Sequence, residues 1–415
     1  MQTLTIKQTP ASSCPVNLHH NSQQRTTPVI EPTDCPVEQD AFGVWHVRGY
    51  AEVQAVLRSE NVRQAGFQAE MMNKLPSYMN PPILFLEGKA HHEQRRQTAR
   101  FFTPRTTDAQ YRQMMQAYAE EIVAEFQRRK RADLSQLSLK MAVRVAAQVV
   151  GLTNSRLPGM HGRIDRFLSR NYSQAGFTWS LAQIKSFVGT QIDLARFFLL
   201  DVHPAIQSRR RAPQEDVISH LLASGYSNTE ILTECITYGA AGMVTTREFI
   251  SVALWHILEN PEYRQLMLGA DEPTRYTFLH ELLRLEPVVG RLYRRATADL
   301  SIESNGQQMV IPAGALIDLH VYAANSDETI VGERPLQICP GRKMAERQPK
   351  VPEFVLSFGD GAHRCPGAYV AIQETDIFLR RLLNLKGLRL AQPPTVSYND
   401  TVKGYELRNF IISLE

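Results

Sequence analysis

The chain has 415 residues, of which 43% are hydrophobic and 21% charged, and its formal net charge is +4. This composition is that of an ordinary globular protein. The small charge argues against nucleic-acid binding, which calls for clustered basic stripes, and no apolar run approaches the length that spans a bilayer. Residues 1–29 are polar and lack the apolar core of a signal peptide. We therefore expect a cytoplasmic protein that binds neither nucleic acid nor a membrane.

The first part of the chain predicts a tail, a strand, a helix and a loop. Residues 1–32 are rich in Ser, Thr, Gln and Pro and predict a flexible N-terminal tail. Residues 43–47 alternate like a strand, and residues 50–58 predict a short helix. Residues 64–86 predict a loop that contains three methionines, and methionine adapts to varied shapes. The loop therefore favours an apolar lid. The three methionines are Met71, Met72 and Met79.

Helical periodicity dominates the next part of the chain. His91 and Arg95 are four residues apart, which places them on one face of a predicted helix. Residues 108–130 predict an amphipathic helix and residues 137–150 a buried one. Residues 159–200 are helical with a break near residue 176.

A capping box, Ser-Asn-Thr-Glu at residues 227–230, starts a long predicted helix that extends to about residue 258. Gly239 and Gly242 lie inside it, and each glycine costs about 1 kcal/mol relative to alanine in a helix. The close approach of a flat ligand would offset that cost. Thr245 and Thr246 can also loosen the helical hydrogen bonds here.

The C-terminal third mixes helices and strands. Glu281 and Arg284 are three residues apart in an apolar helical run, so this pair is predicted to be buried rather than exposed. Residues 300–321 alternate like two strands joined at Asn305-Gly306, which is a strong hairpin signal. Residues 323–327 predict a short helix and residues 368–383 a long one. The remainder predicts short strands.

Residues 358–367 form a loop with several glycines and one cysteine, Cys365, just before a helix. Pro366 falls where a helix is predicted to begin. Free N–H groups and the helix dipole favour an anion at such a place, so we expect the thiol pKa to fall below its usual value of about 8.5. A thiolate in this setting suits iron. Gly361 and Gly367 would let the backbone pass close to a large flat group.

The order Phe-x-x-Gly-x-x-x-Cys-x-Gly in this loop resembles the haem-binding signature of the cytochrome P-450 superfamily. Phe358, Gly361, Cys365 and Gly367 match it position by position. His363, two residues before the cysteine, is similar to the bacterial, soluble version of the signature.

The resemblance extends over residues 34–415. It implies the cytochrome P-450 fold, mainly α with small β regions, as one domain over residues 33–415 after the tail. Haem b (iron protoporphyrin IX) would lie between the long helix of residues 227–258 and the cysteine loop. Cys365 would be the axial ligand of the haem iron.

Further matches assign roles outside the cysteine loop. His91 and Arg95 match the pair that binds one haem propionate, and Arg294 matches the residue that meets the other. Phe358, Gly361 and His363 would also contact the cofactor. Glu281 and Arg284 match a Glu-x-x-Arg pair that is a structural lock rather than a catalytic pair. Arg342 is the candidate for the third member of this lock, and Arg347 is the alternative.

The long helix resembles the oxygen-binding groove of the family, with one departure. Ala241, Gly242 and Thr245 match the catalytic pattern, but Val244 stands where an acid that relays protons is expected. Three explanations remain open. Thr245 and ordered water suffice, Glu248 supplies protons from one turn further on, or the reaction needs less proton delivery.

The resemblance implies a monooxygenase that inserts one oxygen atom from dioxygen into a small, mostly apolar substrate such as a natural product or secondary metabolite. Val244 leaves atypical chemistry as an alternative, namely oxidative coupling, desaturation or peroxide-driven oxidation. A non-catalytic haem-binding sensor is the other alternative.

Electrons would come from outside, because the chain has no flavin or iron–sulfur motif. A ferredoxin-type or flavodoxin-type donor with its NAD(P)H reductase is implied, and the protein would be a monomer. The donor would dock on a basic face near the cysteine. The candidate residues for this face are Arg96, Arg100, Arg342, Lys343 and Arg364.

Overall fold

The computed structural model describes residues 24–26, 35–67, 69, 80–168, 181–348, 350–400 and 403–415. Helices dominate these residues. The α-helices are α1 Tyr50–Arg58, α2 Gly88–Thr98, α3 Pro104–Thr106, α4 Arg112–Arg129, α5 Leu134–Val150, α6 Met160–Leu168, α7 Leu181–Phe197, α8 His203–Arg211, α9 Val217–Ala223, α10 Asn228–Tyr238, α11 Thr245–Glu259, α12 Pro261–Gly269, α13 Glu272–Leu285, α14 Val321–Ala324, α15 Glu328–Val331 and α16 Ala368–Leu383.

Wider and tighter helical turns join some of these helices. The wider π-turns span Thr107–Tyr111, Phe198–Val202 and Gly239–Val244, and the tighter 3₁₀ turns span Ile83–Phe85, Ala99–Phe102 and Gly361–His363. The π-turn at Gly239–Val244 joins α10 to α11, so the long helix predicted from the capping box is one rod with a widened middle. The prediction that this stretch departs from a regular helix is confirmed.

The strands are short and lie in four small sheets of the described residues. They are β1 Val37–Gln39, β2 Trp45–Val47, β3 Val62–Gln64, β4 Arg131–Asp133, β5 Arg291–Ala296, β6 Leu300–Ser304, β7 Gln307–Ile311, β8 Leu316–His320, β9 Leu388–Gln392, β10 Thr395–Asn399, β11 Gly404–Arg408 and β12 Ile411–Leu414. The five-stranded sheet has the order β1-β2-β8-β5-β3, in which β2 and β8 run parallel.

Local signals account for several element ends. The side chain of Ser227 accepts a hydrogen bond from the Glu230 N–H and Glu230 bonds the Ser227 N–H in return, so the predicted capping box is confirmed. Asn305 and Gly306 both have positive φ, at 50° and 74°, as a tight hairpin between β6 and β7 requires. Residues 300–321, predicted as two strands, contain three. The third strand, β8, does not pair with the hairpin and belongs to the five-stranded sheet.

The hydrophobic core is formed around α5, α11 and α16. These helices are lined by fully buried apolar side chains, among them Val145, Ile250 and Phe378. A second, smaller apolar cluster lies between α1 and the five-stranded sheet. The cysteine loop precedes α16 and contacts α1, so it is held between the two clusters.

Two predictions concern residues that are only partly described. Residues 24–26 of the predicted tail lie against the body of the protein, where the backbone N–H groups of Arg25 and Thr26 donate to the buried carboxylate of Glu286. The predicted lid methionines, Met71, Met72 and Met79, and the break near residue 176 lie outside the described residues.

Candidate active site

A cavity lies between the widened middle of the long helix and the cysteine loop. Ala241, Gly242 and Thr245 line it from the helix, and Phe358, His363 and Cys365 line it from the loop. His91, Arg95 and Arg294 also line it. The structure therefore brings nine of the ten residues predicted for catalysis and cofactor binding to one cavity.

Gly361, the tenth of these residues, is not among the residues that line the cavity. Its φ is +64°, and a Cβ at this position would lie 2.1 Å from the carbonyl oxygen of Leu57 at the end of α1. Glycine is thus required for close packing against α1, and the expectation that it lets the backbone approach a flat ligand stays a prediction. Gly367 does line the cavity, and a Cβ there would have Cys365 Sγ as its nearest neighbour at 4.0 Å.

The Cys365 thiol is accessible from the cavity, but two details of its predicted surroundings are wrong. The helix begins at Ala368 rather than at Pro366, so the thiol lies before the first turn of α16. Burial raises the pKa of the thiol above its usual value, whereas we expected a lowered pKa. The Gly367 N–H and the charges of Arg95 and Arg364 act in the opposite direction and are outweighed by burial.

The loop around the cysteine is held by a backbone hydrogen bond and by two contacts of the His363 side chain. The Cys365 N–H donates to the Phe358 carbonyl oxygen at 2.8 Å, which closes the loop. His363 Nε2 lies 3.1 Å from a carboxylate oxygen of Glu87, and the ring of His363 packs on that of His91 with centroids 4.2 Å apart. These contacts fix the loop before any ligand is bound.

The two guanidinium groups on the cavity wall, those of Arg95 and Arg294, have no carboxylate partner among the described residues. Arg294 is almost fully buried, and burial lowers its pKa to about 10. Its Nη1 donates to Gln64 and to the Tyr293 carbonyl oxygen. Arg95 donates to the Arg364 carbonyl, and burial lowers its pKa as well.

His91 lies beside these guanidinium groups on the cavity wall. Burial and the neighbouring His363 and Arg95 lower the pKa of His91 to about 4, so its ring is uncharged, and among the described residues its buried Nδ1 has no hydrogen-bond partner. Buried cations are normally paired, so Arg95 and Arg294, with His91 Nδ1 as a neutral N–H donor, fit a ligand that carries carboxylates. Haem has two propionates, and the donor set fits it.

The widened helix leaves an open groove on its cavity side. The Thr245 hydroxyl donates to the Ala241 carbonyl oxygen at 2.6 Å, so its oxygen lone pairs remain available as acceptors. A Cβ added at Gly242 would meet Ala146 Cβ at 3.8 Å, an ordinary contact. Packing within the protein therefore does not require glycine at position 242. The close approach of a ligand in the cavity would explain why glycine stands there.

Neither Val244 nor Glu248 lines the cavity. Val244 is buried on another side of the helix. The carboxylate of Glu248 is held by the Leu407 N–H at 2.8 Å, by Arg408 at 2.7 Å and by Arg247 at 2.8 Å. This carboxylate is committed to a structural network, and the geometry gives no support to the idea that it supplies protons to the cavity.

Glu374 is a cavity residue that the sequence reasoning missed. It lies on α16 and lines the cavity beside Thr246, which also lines the cavity. Burial raises the pKa of Glu374 well above its usual range, and among the described residues its Oε2 has no hydrogen-bond partner. Burial therefore favours the protonated form of this carboxyl. The signal in the sequence was weak, because Glu374 stands in a run of four polar residues, all buried.

The predicted lock residues lie together and away from the cavity. Arg284 donates from Nε and Nη2 to both oxygens of Glu281, at 2.8 and 2.9 Å. Arg342 Nε donates to Glu281 at 3.0 Å. Arg347, the alternative for the third position, instead lies over the ring of Tyr50 at 5.7 Å.

The position of Arg342 changes the predicted docking face. Its side chain is mostly buried in the lock, so Arg342 cannot belong to an exposed basic face. Arg96, Arg100, Lys343 and Arg364 are exposed. Arg96 pairs with Glu93, which offsets part of its charge.

The chain is similar to known cytochrome P450 proteins. A family model described as cytochrome P450 matches residues 276–395. The biotin biosynthesis cytochrome P450 of Bacillus subtilis (strain 168) is 28% identical over 363 residues, which cover 84% of each chain. Mycinamicin IV hydroxylase/epoxidase of Micromonospora griseorubida is 26% identical over 387 residues, covering 90% of this chain and 88% of its own.

Solved structures have the same fold. The crystal structure of CalO2 superposes with a TM-score of 0.74 at 21% identity and covers 92% of this chain and 93% of its own. P450BioI, in complex with a hexadec-9Z-enoic acid ligated acyl carrier protein, has a TM-score of 0.69 at 24% identity and covers 92% and 94%. In the described part of the chain, no helix is long and apolar enough to cross a bilayer.

Proposed function

The chain belongs to the cytochrome P450 family, and from that premise we propose that this monooxygenase hydroxylates a small, mostly apolar organic molecule in the cavity below the long helix. The observation that carries the proposal is a single cavity lined by a thiol, unpaired cations, a threonine-bearing groove and an apolar wall.

The family implies a haem cofactor, and the cavity residues suit it. Cys365 would ligate the iron through Sγ, and His91, Arg95 and Arg294 would bind the propionates. Bound haem supplies the activation of dioxygen, and a thiolate ligand favours O–O cleavage. Metal binding takes the proton from the thiol, which offsets the raised pKa of Cys365.

Thr245, Thr246 and Glu374 would hold and move the protons. The Thr245 oxygen can accept a hydrogen bond from a water in the groove, because its own proton is bonded to Ala241. Glu374 lies beside Thr246, the residue that follows Thr245, and burial raises the pKa of its carboxyl, which favours the protonated form. This carboxyl on the cavity wall would take the place of the acid that is missing at position 244. This arrangement supports the explanation that threonine and water suffice without an acid at position 244.

The wall above the groove favours an apolar substrate. It is formed mainly by aliphatic and aromatic side chains, which bury apolar surface and exclude water. They include Ile83, Val149, Phe249, Val289 and Leu292. The names of relatives refer to biotin biosynthesis and to mycinamicin IV, so a natural product or secondary metabolite is the proposed substrate class.

An external electron donor is part of the proposal. The exposed Arg100, Lys343 and Arg364 would meet an acidic ferredoxin-type or flavodoxin-type protein. Raised salt should then slow electron transfer, since exposed charges are screened within about 10 Å at 0.1 M salt. An unchanged rate would remove this docking face from the account.

Turnover in heavy-isotope dioxygen tests the proposed reaction. Candidate substrates are first selected by the spin-state change that follows loss of an iron-bound water. Reduced surrogate partners should then yield a product that carries one heavy oxygen atom. A product without heavy oxygen would indicate desaturation or coupling, product formation with hydrogen peroxide alone would indicate peroxide-driven oxidation, and haem binding without any turnover would indicate a sensor.

A further inference from the structure

Three side chains that form no part of the cavity gather on one face of the five-stranded sheet. In the parallel pair β2–β8, His46 stands opposite Asp318. His320 is two residues beyond Asp318 and so points to the same face. Within the described residues, His46, Asp318 and His320 form the group of His and acidic side chains whose nitrogen and oxygen atoms converge closely enough for a metal ion.

The spacing of the three atoms fits tetrahedral zinc. His46 Nδ1 lies 3.0 Å from His320 Nε2 and 3.4 Å from Asp318 Oδ2, and His320 Nε2 lies 3.6 Å from Asp318 Oδ2. Zinc bonds of about 2.0–2.1 Å to nitrogen and about 2.0–2.2 Å to oxygen separate the ligands of a tetrahedron by about 3.3–3.4 Å. The three atoms therefore form a triangle of the size of one tetrahedral face.

The outer nitrogens of both histidines are already bonded. His46 Nε2 lies 3.2 Å from Asp40 Oδ2, and His320 Nδ1 lies 3.2 Å from the Tyr322 hydroxyl. Histidines that ligate metals bond their other ring nitrogen to a carboxylate or another polar group in this way, which fixes the ring and its tautomer. Both inner nitrogens are thus oriented toward the same point.

Asp318 adds an independent sign of an absent ligand. Its side chain is 3% exposed, and its Oδ1 is buried without a hydrogen-bond partner. Its Oδ2 accepts a hydrogen bond from Arg291 at 2.9 Å, as ligating carboxylates often do from a neighbouring donor. Three carboxylates, those of Asp40, Asp318 and the Arg48 partner Glu38, outnumber the two guanidinium groups of Arg48 and Arg291, so the group as a whole favours a cation.

The group can be reached from solvent. Partial exposure of His46 and Asp40 gives the ion a path from solvent.

We propose that this chain binds one zinc ion through His46 Nδ1, His320 Nε2 and the Asp318 carboxylate, with a solvent water as fourth ligand. The ion connects β2 and β8, which are neighbours in the five-stranded sheet. Because β8 pairs with β5, which carries Arg294, the ion stabilises the sheet beside the cavity.

The test uses the full-length, tag-free, haem-loaded protein, stripped with a chelator and titrated with zinc chloride. Crystals measured on both sides of the zinc absorption edge should show one anomalous peak at about 2.0–2.2 Å from the three named atoms. The absence of this peak, or a peak only elsewhere, would overturn the proposal and identify the group as a metal-free hydrogen-bonded network.

The zinc affinity of variants, measured by competition with a chromophoric zinc chelator, is a second readout. Asp40→Asn, at a half-exposed position, should weaken zinc binding about 10- to 100-fold, and Asp318→Asn should weaken it more. His280→Gln is the matched control, because His280 and Glu353 form a histidine–carboxylate pair at 3.0 Å that no third His, Cys or acidic side chain of the described residues completes. The proposal fails if Asp40→Asn binds zinc as tightly as the control. That variant decides the matter even if Asp318→Asn does not fold.

Discussion

Two groups of buried cations in this protein differ in what surrounds them. At the lock, Arg284 and Arg342 share the carboxylate of Glu281, and Arg284 is fully buried. At the cavity wall, Arg294 is almost as deeply buried but has no carboxylate within ion-pair distance among the described residues. A buried charge that is paired within the protein serves the fold, whereas one that is unpaired and faces a cavity is compensated by a ligand.

The largest expected effect comes from breaking the paired group. Arg284→Met leaves the Glu281 carboxylate buried with only Arg342, and we expect the free energy of unfolding to fall by about 3–5 kcal/mol. Denaturant titration measures this loss. Arg381→Met is the control, since Arg381 and Glu120 form an exposed pair at 2.6 Å and the change should have little effect. Equal stability of the two variants would contradict the assignment of Glu281, Arg284 and Arg342 as a lock.

Removing the charge of Arg294 on the cavity wall should weaken haem binding rather than the stability of the haem-free protein. Arg294→Gln removes a charge that has no carboxylate partner among the described residues, so the haem-free form should lose little stability. The haem-bound form should lose a charge-assisted bond worth about 1.5–3 kcal/mol, which corresponds to about 10- to 100-fold faster haem transfer to an apomyoglobin scavenger. Arg295→Gln, at the next position of β5, should leave the transfer rate unchanged. If Arg295→Gln accelerates haem loss as much as Arg294→Gln, the assignment is wrong.

Glu374 extends the comparison to an unpaired acid. Glu374→Gln should raise hydrogen peroxide leakage per electron consumed several-fold, because the variant cannot release a proton from this carboxyl. In the wild type, burial raises the pKa of Glu374 and favours its protonated form, so leakage should increase as pH rises through that pKa. The variant should show no such dependence. Parallel pH profiles for the two proteins would exclude Glu374 from proton supply.

The same residue predicts a dependence of stability on pH. The folded-state pKa of Glu374 lies above that of the unfolded chain, so the stability that its proton contributes is fully present below the unfolded value of about 4.3. This contribution is lost as pH rises through the folded value. Glu374→Gln should therefore flatten the decline of the unfolding free energy on the alkaline side, which denaturant titrations at several pH values measure.

The smallest expected effect on catalysis comes from the residue that departs most from the family pattern. Val244 is buried away from the cavity, so Val244→Asp should not lower peroxide leakage. Val244→Thr, which has nearly the same shape, controls for packing, and circular dichroism verifies that both variants fold. A clear drop in leakage for Val244→Asp alone would mean that the missing acid limits the wild-type enzyme.

Local patterns in the sequence predicted those parts of the fold that depend on neighbouring residues. The turn at Asn305-Gly306 and the capping box at residues 227–230 are set by their own backbone and side chains, and both are present. The predicted bounds of the helix over residues 368–383 agree with α16. The order of the five-stranded sheet was not predictable, because β2 and β8 are far apart in the chain.

In the candidate site, too, local sequence predicted some features and missed those that depend on burial. Cys365 was evident from the spacing of its loop, but the pKa of its thiol was not, because burial by distant elements outweighs the nearby N–H groups. Arg342 was assigned both to the lock and to a docking face, and only its burial shows that it cannot serve both. Glu374 escaped notice because nothing local distinguishes a cavity-facing glutamate from a solvated one on a helix.

The central claim is that the sulfur of Cys365 ligates haem iron, and the carbon-monoxide difference spectrum of the reduced protein tests it most directly. The wild type should show the red-shifted Soret band of a thiolate-ligated haem, and Cys365→Ala should lose that band. A colourless wild-type protein, or a Cys365→Ala variant that retains the band unchanged, would contradict the account.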